Sequence, residues 1–269
     1  MPSLERPDGN IHYDIVDIVP PWIERPATIL FHHGVSTTLG IWSDWIPVLA
    51  ERYRIVRFDM RGYGRSSVPP PDFPWSFELL VDDLIAVADA AAAATFHLVG
   101  ESLGGTAALV AALRHPERVS SLTVSNGTHR GPAIRNVRGQ WGARIAGEGQ
   151  EAWAREMMEH RFFPGALADD KFRWFLREHA TCSAAATLGL AELLLRTDLC
   201  DEVAAVRCPT LLLAPDSSPF IPVALMSELR DRLPDAELQV FAHARHGLPL
   251  SHGRECAETL RAFLRRRFG

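Results

Sequence analysis

The chain of 269 residues carries a formal net charge of −5, with 47% hydrophobic and 23% charged residues. That is the composition of a folded globular protein and excludes a disordered or fibrous one. No basic run, zinc-finger spacing or RNA-binding aromatic signature is present, so nucleic acid is not an expected partner. Residues 1–5 lack a basic segment followed by an apolar run, and no stretch of about 18 uninterrupted apolar residues could cross a bilayer. A cytoplasmic protein with no membrane partner is expected.

Short β-branched runs alternate with longer amphipathic stretches, which predicts an α/β fold: a mostly parallel central sheet with helices on both faces. Asp8-Gly9 reads as a turn opening a strand over residues 11–19, and residues 27–31 as a buried strand ending at His33-Gly34. Residues 42–53 have helical spacing, 54–58 form the next strand, and 77–94 a helix capped by Ser76. A strand over 96–99 is followed by a helix over 102–114 that stops before Pro116, and residues 119–124 return to the sheet. From 127 to 199 helical stretches replace strands. The expected organisation is therefore a core of 1–126 and 200–269 with a helical lid (cap) inserted at 127–199. Strands over 209–214 and 237–241 and a helix over 255–268 complete the chain. Cys182, Cys200, Cys208 and Cys256 contain no C-x-x-C pair and read as free thiols.

Gly100-Glu101-Ser102-Leu103-Gly104 is a G-x-S-x-G sequence between a predicted strand and a predicted helix. The chain must turn sharply there, which leaves no room for side chains at the two glycines and exposes the Ser102 hydroxyl as a nucleophile. The Leu103 N–H, at the helix N-terminus, is one expected oxyanion donor, and the Val35 N–H, on the loop after the strand ending in Phe31, is the second. His33 reads as a buried packing residue that orients this loop, and His32 points to the other side of the chain. A serine hydroxyl needs a base. Of His243, His246 and His252, His246 sits in the expected loop beyond the last strand, while the other two read as loop or surface residues. Neither a metal nor a cofactor is expected; a three-histidine metal site is the alternative, without the carboxylate-rich spacing that would support it.

His33-Gly34, the segment 59–66 (Asp59-Met60-Arg61-Gly62-Tyr63-Gly64-Arg65-Ser66), Gly100 to Gly104 and Ala244-Arg245-His246-Gly247-Leu248-Pro249 occur in the order found in α/β-hydrolase-fold serine hydrolases, which the chain resembles over essentially its full length. The resemblance implies that segment 59–66 is a structural turn near the site entrance. Within the lid, Trp141-Gly142-Ala143-Arg144-Ile145, Arg161-Phe162-Phe163-Pro164 and Asp198-Leu199 are similar to 3-oxoadipate enol-lactone hydrolases. Related ring-cleavage-pathway hydrolases that cut amide bonds of small dicarboxylates share the motif order. Either likeness implies a small carboxylate-bearing substrate from aromatic-compound catabolism.

The third member of the triad departs from this pattern. The lactonase-like acid position, four residues before Pro222, holds Ser218, and the alternative position after strand 119–124 holds Asn126. Asp216 is the expected acid, with Asn126 as an orienting neighbour; a turn-forming role for Asp216 competes equally. Among the lid cations Arg130, Arg135, Arg138, Arg144, Arg155 and Arg161, the first two lie nearest the strand ends and are the expected carboxylate clamps. Trp141, Phe162 and Phe163 could wall the pocket, lid packing being the stronger reading for each. The expected reaction is ester or enol-lactone hydrolysis through an acyl-Ser102 intermediate. Amide or carbon–carbon cleavage, or a low-turnover ligand-binding protein, are the alternatives.

Overall fold

The computed structural model describes residues 2–134 and 140–269. Among these, eight strands form one sheet: β1 (Ser3–Arg6), β2 (Gly9–Val16), β3 (Thr28–His32), β4 (Arg54–Phe58), β5 (Phe96–Glu101), β6 (Val119–Ser125), β7 (Thr210–Pro215) and β8 (Ala236–Phe241). Their spatial order is β1-β2-β4-β3-β5-β6-β7-β8. The β1–β2 hairpin and the β2–β4 pair are antiparallel, and every pair from β4 across to β8 is parallel. The predicted α/β architecture is thus the observed one.

The helices are α1 (Ile46–Leu49), α2 (Phe77–Ala90), α3 (Leu103–Arg114), α4 (Gln140–Arg161), α5 (Asp169–Thr181), α6 (Ala184–Arg196), α7 (Val223–Arg232), α8 (Leu248–Ser251) and α9 (Gly253–Phe268). Side chains alternate across the sheet, as the period of two requires. Leu30, Val56, Leu98, Leu122 and Leu212 pack on one face with α2, α3 and α7. Ile29, Phe31, Ile55, Val99, Leu211 and Leu213 pack on the other with Trp42, Trp45 and α9. Because both faces are covered, β3, β5 and β7 are buried along their whole lengths, and each carries a central apolar run in the sequence.

Two local expectations change. The stretch 42–53 is not one helix: a 3₁₀ turn over Leu39–Trp42 gives way to the single turn α1, with Pro47 in its first turn. Proline is tolerated there because the first N–H groups of a helix have no internal acceptor, so the helix starts one residue before the proline rather than running through it. The apolar spacing instead buries Trp42 and Trp45 against Phe31. Strand β1, not anticipated, pairs only with β2 at the edge of the sheet. The cap on α2 is the predicted one, Ser76 Oγ accepting from the Leu79 N–H at 3.1 Å.

Between β6 and β7 the chain forms α4, α5 and α6, and all three reach the loop after β3. Arg161 Nη2 donates to the Val35 carbonyl at 3.0 Å, His179 Nδ1 donates to the Ser36 carbonyl at 2.5 Å, and Thr187 Oγ1 bonds Ser36 Oγ at 2.6 Å. On the far side, segment 59–66 is pinned by a buried ion pair. Arg61 Nη2 donates to Asp83 Oδ1 at 2.9 Å, its Nε meets Oδ2, and Arg6 joins the same carboxylate at 3.0 Å. Removing one partner strands a buried charge, so Asp83→Ala is expected to cost about 3–5 kcal/mol of stability. Urea unfolding measures this; a loss under about 1 kcal/mol contradicts the assignment.

Candidate active site

The turn from β5 into α3 brings the serine to the sheet edge. Ser102 has φ 53° and ψ −119°, a backbone state that side chains other than glycine rarely adopt. It is enforced by close packing. A Cβ on Gly100 would fall 2.2 Å from the Gly104 carbonyl oxygen, and one on Gly104 would fall 2.4 Å from the carbonyl oxygens of both His32 and His33. The two glycines therefore let α3 start directly against β3. Leu103 is the first residue of that helix, so its N–H has no intrahelical acceptor. Val35 is buried and lines the same pocket as Ser102.

His246, on the loop between β8 and α8, places Nε2 3.1 Å from Ser102 Oγ. The pair is buried, and burial, reinforced by Arg161 and His160, holds the imidazole well below its ordinary pKa. His33 occupies its predicted place. Its Nε2 accepts the Met60 N–H at 2.8 Å, its Nδ1 donates to the Gly34 carbonyl at 2.9 Å, and burial lowers its pKa to about 4. A neutral histidine thus braces the loop that carries Val35.

The expectation that Asp216 backs His246 is not met. Asp216 is exposed, and its two oxygens accept the His243 and Ala244 N–H groups at 2.8 and 3.0 Å, closing the turn after β8. These bonds to the ionised carboxylate hold its pKa below the usual value against the opposing effect of desolvation. The residues on His246 Nδ1 are instead Asn126, whose Nδ2 lies at 2.5 Å and also donates to the His246 carbonyl at 3.0 Å, and Ser218, whose Oγ lies at 3.2 Å. Both are the customary acid positions, and both are uncharged. An Asn126 Nδ2 donor facing Nδ1 selects the tautomer with its proton on Nε2, which cannot take a proton from Ser102. With the amide turned over, Oδ1 accepts from Nδ1–H and Nε2 is free to act as a base; Ser218 Oγ can accept in the same way.

The pocket over Ser102 and His246 is narrow, about 30 Å³, and is lined by Ile134, Trp141, Leu194, Phe220 and Ile221, with Arg161 as its cation. A larger, open depression lies beside Asp14, Asp59 and Glu178. It contains neither Ser102 nor His246, so the smaller, apolar cavity is the candidate active site. Trp141 lies where expected. Arg130 does not: it pairs with Glu228 at 2.9 Å and is absent from the pocket lining. Arg135 and Arg138 lie outside the described residues. Phe162 packs edge-on against Phe175 of α5, and Phe163 stacks on His243 of the loop after β8, so neither walls the pocket.

Two charged residues that sequence reasoning left in the background stand at this site. Arg161, the last residue of α4, is fully buried; among the described residues it makes no ion pair within 4.0 Å, and its Nε has no acceptor. Glu101, within the nucleophile motif, is 1% exposed, and burial raises its pKa to about 7, opposed by the Arg161 charge and the Gly34 N–H. The signal for Glu101 is an acid at the end of a buried strand, immediately before the nucleophile, and for Arg161 a cation followed directly by Phe162-Phe163-Pro164. As for metals, His129, Cys200 and Glu228 bring ligand atoms within 4.8 Å of one another, but Arg130 and Arg232 already hold the Glu228 carboxylate. Two guanidinium groups there oppose a bound cation.

The alpha/beta hydrolase fold family matches residues 27–156. A putative carbamate hydrolase RutD from Azorhizobium caulinodans is 30% identical over 253 residues, covering 91% of this chain and 92% of its own. This chain belongs to the α/β-hydrolase family. The hydrolase is also 27% identical to a 2-hydroxymuconate semialdehyde hydrolase from a Pseudomonas strain over 88% of this chain and 86% of that one. The fold matches the enol-lactonase from Burkholderia xenovorans with a TM-score of 0.85, at 21% identity over 98% of this chain and 99% of that one.

Two outcomes follow from this geometry. Asn126 has φ 51°, which aspartate tolerates as well as asparagine does. Asn126→Asp is therefore expected to keep the fold, fix the productive tautomer and raise kcat/KM on a neutral ester by roughly 10- to 1000-fold. Unchanged or lower turnover in a folded variant contradicts the assignment. The second concerns acid stability. Burial lowers His32 to about 3, His33 and His97 to about 4 and His179 to about 3. The unfolded chain takes up protons on these side chains below about pH 6.5, so stability falls as pH drops from about 6.5 to about 4. Glu101, raised to about 7, acts in the opposite sense between its unfolded value and 7 but is outnumbered. A thermal midpoint that is flat or rising on acidification over that window contradicts the reading.

Proposed function

We propose that this hydrolase cleaves an ester or enol-lactone bond in a small carboxylate-bearing catabolic metabolite through an acyl-Ser102 intermediate. Residues 127–199 act as the lid that closes the pocket. His246 Nε2 takes the Ser102 proton as Oγ attacks the carbonyl, and the N–H groups of Val35 and Leu103 hold the oxyanion. The proton then passes to the leaving oxygen, and water repeats the sequence to release the acid and free serine.

The observation that carries the substrate class is Arg161: a buried guanidinium without a carboxylate partner within 4.0 Å among the described residues, in an otherwise apolar cavity beside Ser102 and His246. A desolvated cation of this kind favours an anionic group on the bound molecule. It takes the role expected of Arg130 and Arg135. The uncharged groups at His246 Nδ1 favour oxygen leaving groups, because an enolate or alkoxide with a low conjugate pKa needs less help from a protonated imidazole than an amine does. Relatives include a putative carbamate hydrolase and a 2-hydroxymuconate semialdehyde hydrolase, so matched amide and carbon–carbon substrates belong in the same comparison.

Kinetics on paired substrates tests the reading. Arg161→Gln is expected to lower kcat/KM for a carboxylate-bearing ester or lactone by about 10- to 150-fold, the loss typical of a charged hydrogen bond, and to change its methyl-capped analogue far less. Equal losses on both substrates assign Arg161 to holding the Val35 loop instead. A serine-directed fluorophosphonate that labels the wild type but not Ser102→Ala supports the enzyme, whereas ligand binding without labelling supports a low-turnover binding protein.

A further inference from the structure

Acylation turns His246 into an imidazolium in a buried site, yet Asn126 and Ser218 at Nδ1 bring no negative charge. The opposite side of the ring supplies one. Glu101 Oε1 lies 3.8 Å from His246 Nε2, and neither carboxylate oxygen has a well-aligned hydrogen-bond partner among the described residues. The carboxylate is lodged beneath the oxyanion loop: a Cβ on Gly34 would fall 2.2 Å from Glu101 Oε2. A buried carboxyl without a close ion pair is costly, and such groups cluster at functional sites. Resting on the acyl-serine reading above, we infer that Glu101 is the electrostatic partner of His246, replacing the acid missing from Nδ1 and stabilising the imidazolium from the Nε2 side.

The surrounding groups agree. Arg161, at the end of α4, faces both Glu101 and His246 and favours ionised Glu101. Behind it, His179 on α5 is lowered to about 3, while burial pushes Cys182 up to about 12 and raises Tyr63, so all three are neutral near pH 7. His32 and His33, on the neighbouring β3 and its loop, are neutral as well. His160 of α4 faces His246 across Phe220. Glu101 never exchanges the reacting proton. That proton moves from Ser102 Oγ to Nε2 as the Oγ–carbon bond forms, then to the leaving oxygen as its bond to carbon breaks. Glu101 is thus a positioning residue, effective only when ionised. Burial raises Glu101 to about 7, so its carboxylate is lost, and activity falls, as pH drops through that value.

The test uses the full chain, p-nitrophenyl acetate, which needs no carboxylate clamp, and the near-isosteric Glu101→Gln, with the melting temperature checked. The expected kcat/KM falls about 100-fold, and the acid limb of the pH profile shifts down by a unit or more, because only His246, held well below its ordinary pKa, remains to titrate. Adding Asn126→Asp is expected to recover at least tenfold of the loss, since a carboxylate at Nδ1 supplies the same charge. Unchanged turnover, an acid limb that stays near pH 7, or no rescue in a folded double variant overturns the inference. Fluorophosphonate labelling run alongside separates the two claims. Labelling lost in Ser102→Ala with any of those three results overturns the role of Glu101 alone, whereas turnover that survives Ser102→Ala overturns the acyl-serine reading and this inference together.

Discussion

The positive φ of Ser102 is the constraint on which the site depends. Holding a non-glycine residue there costs on the order of 1–3 kcal/mol and persists only because the surroundings leave no alternative. β5 ends at Glu101, α3 begins at Leu103, and two glycines allow that helix to start within contact distance of β3. From this one strained residue follow the raised hydroxyl, the free helix N-terminus beneath it, and the proximity of the Val35 loop. A turn with more room would satisfy the same sheet and lose the site.

The second constraint is desolvation. The β3 loop that carries Val35 is braced on one side by neutral His33 and on the other by one residue from each of α4, α5 and α6, namely Arg161, His179 and Thr187. The insert between β6 and β7 is therefore coupled to the oxyanion loop through hydrogen bonds as well as lying over the pocket. Excluding water strengthens every charge that remains, and the two prominent ones are Arg161 and Glu101. Among the described residues, neither is matched by an ion pair of its own within 4.0 Å, apart from the 3.8 Å approach of Glu101 to His246.

The fold was legible in the chain because strands buried on both sides read as short apolar runs and crossover helices as amphipathic ones; Arg54–Phe58 and Val119–Ser125 lie within a residue of expectation. Around Trp42 the helical spacing of tryptophans records burial, and burial does not require a helix. Among the expected site residues, Ser102 and His246 come together, Trp141 lines their pocket, and Asn126 lies on the imidazole. Asp216 does not. Nearness along the chain pointed to it, but its carboxylate is used by the turn that follows β8.

Local rules suffice for the parallel sheet, the strained serine and the histidine past the last strand. Each follows from periodicity, from the steric needs of a strand-to-helix turn, or from order along the chain, and those are properties of neighbours in sequence. The group that faces Nδ1 of His246, the desolvation of Glu101 and the engagement of Arg130 elsewhere are of another kind. They depend on loop paths and on contacts between residues more than a hundred positions apart, such as Asn126 with His246 and Arg161 with Val35, and on how much water that packing leaves behind. A carboxylate that looks ordinary in the sequence becomes a functional charge only when the fold removes its solvent and sets an imidazole beside it.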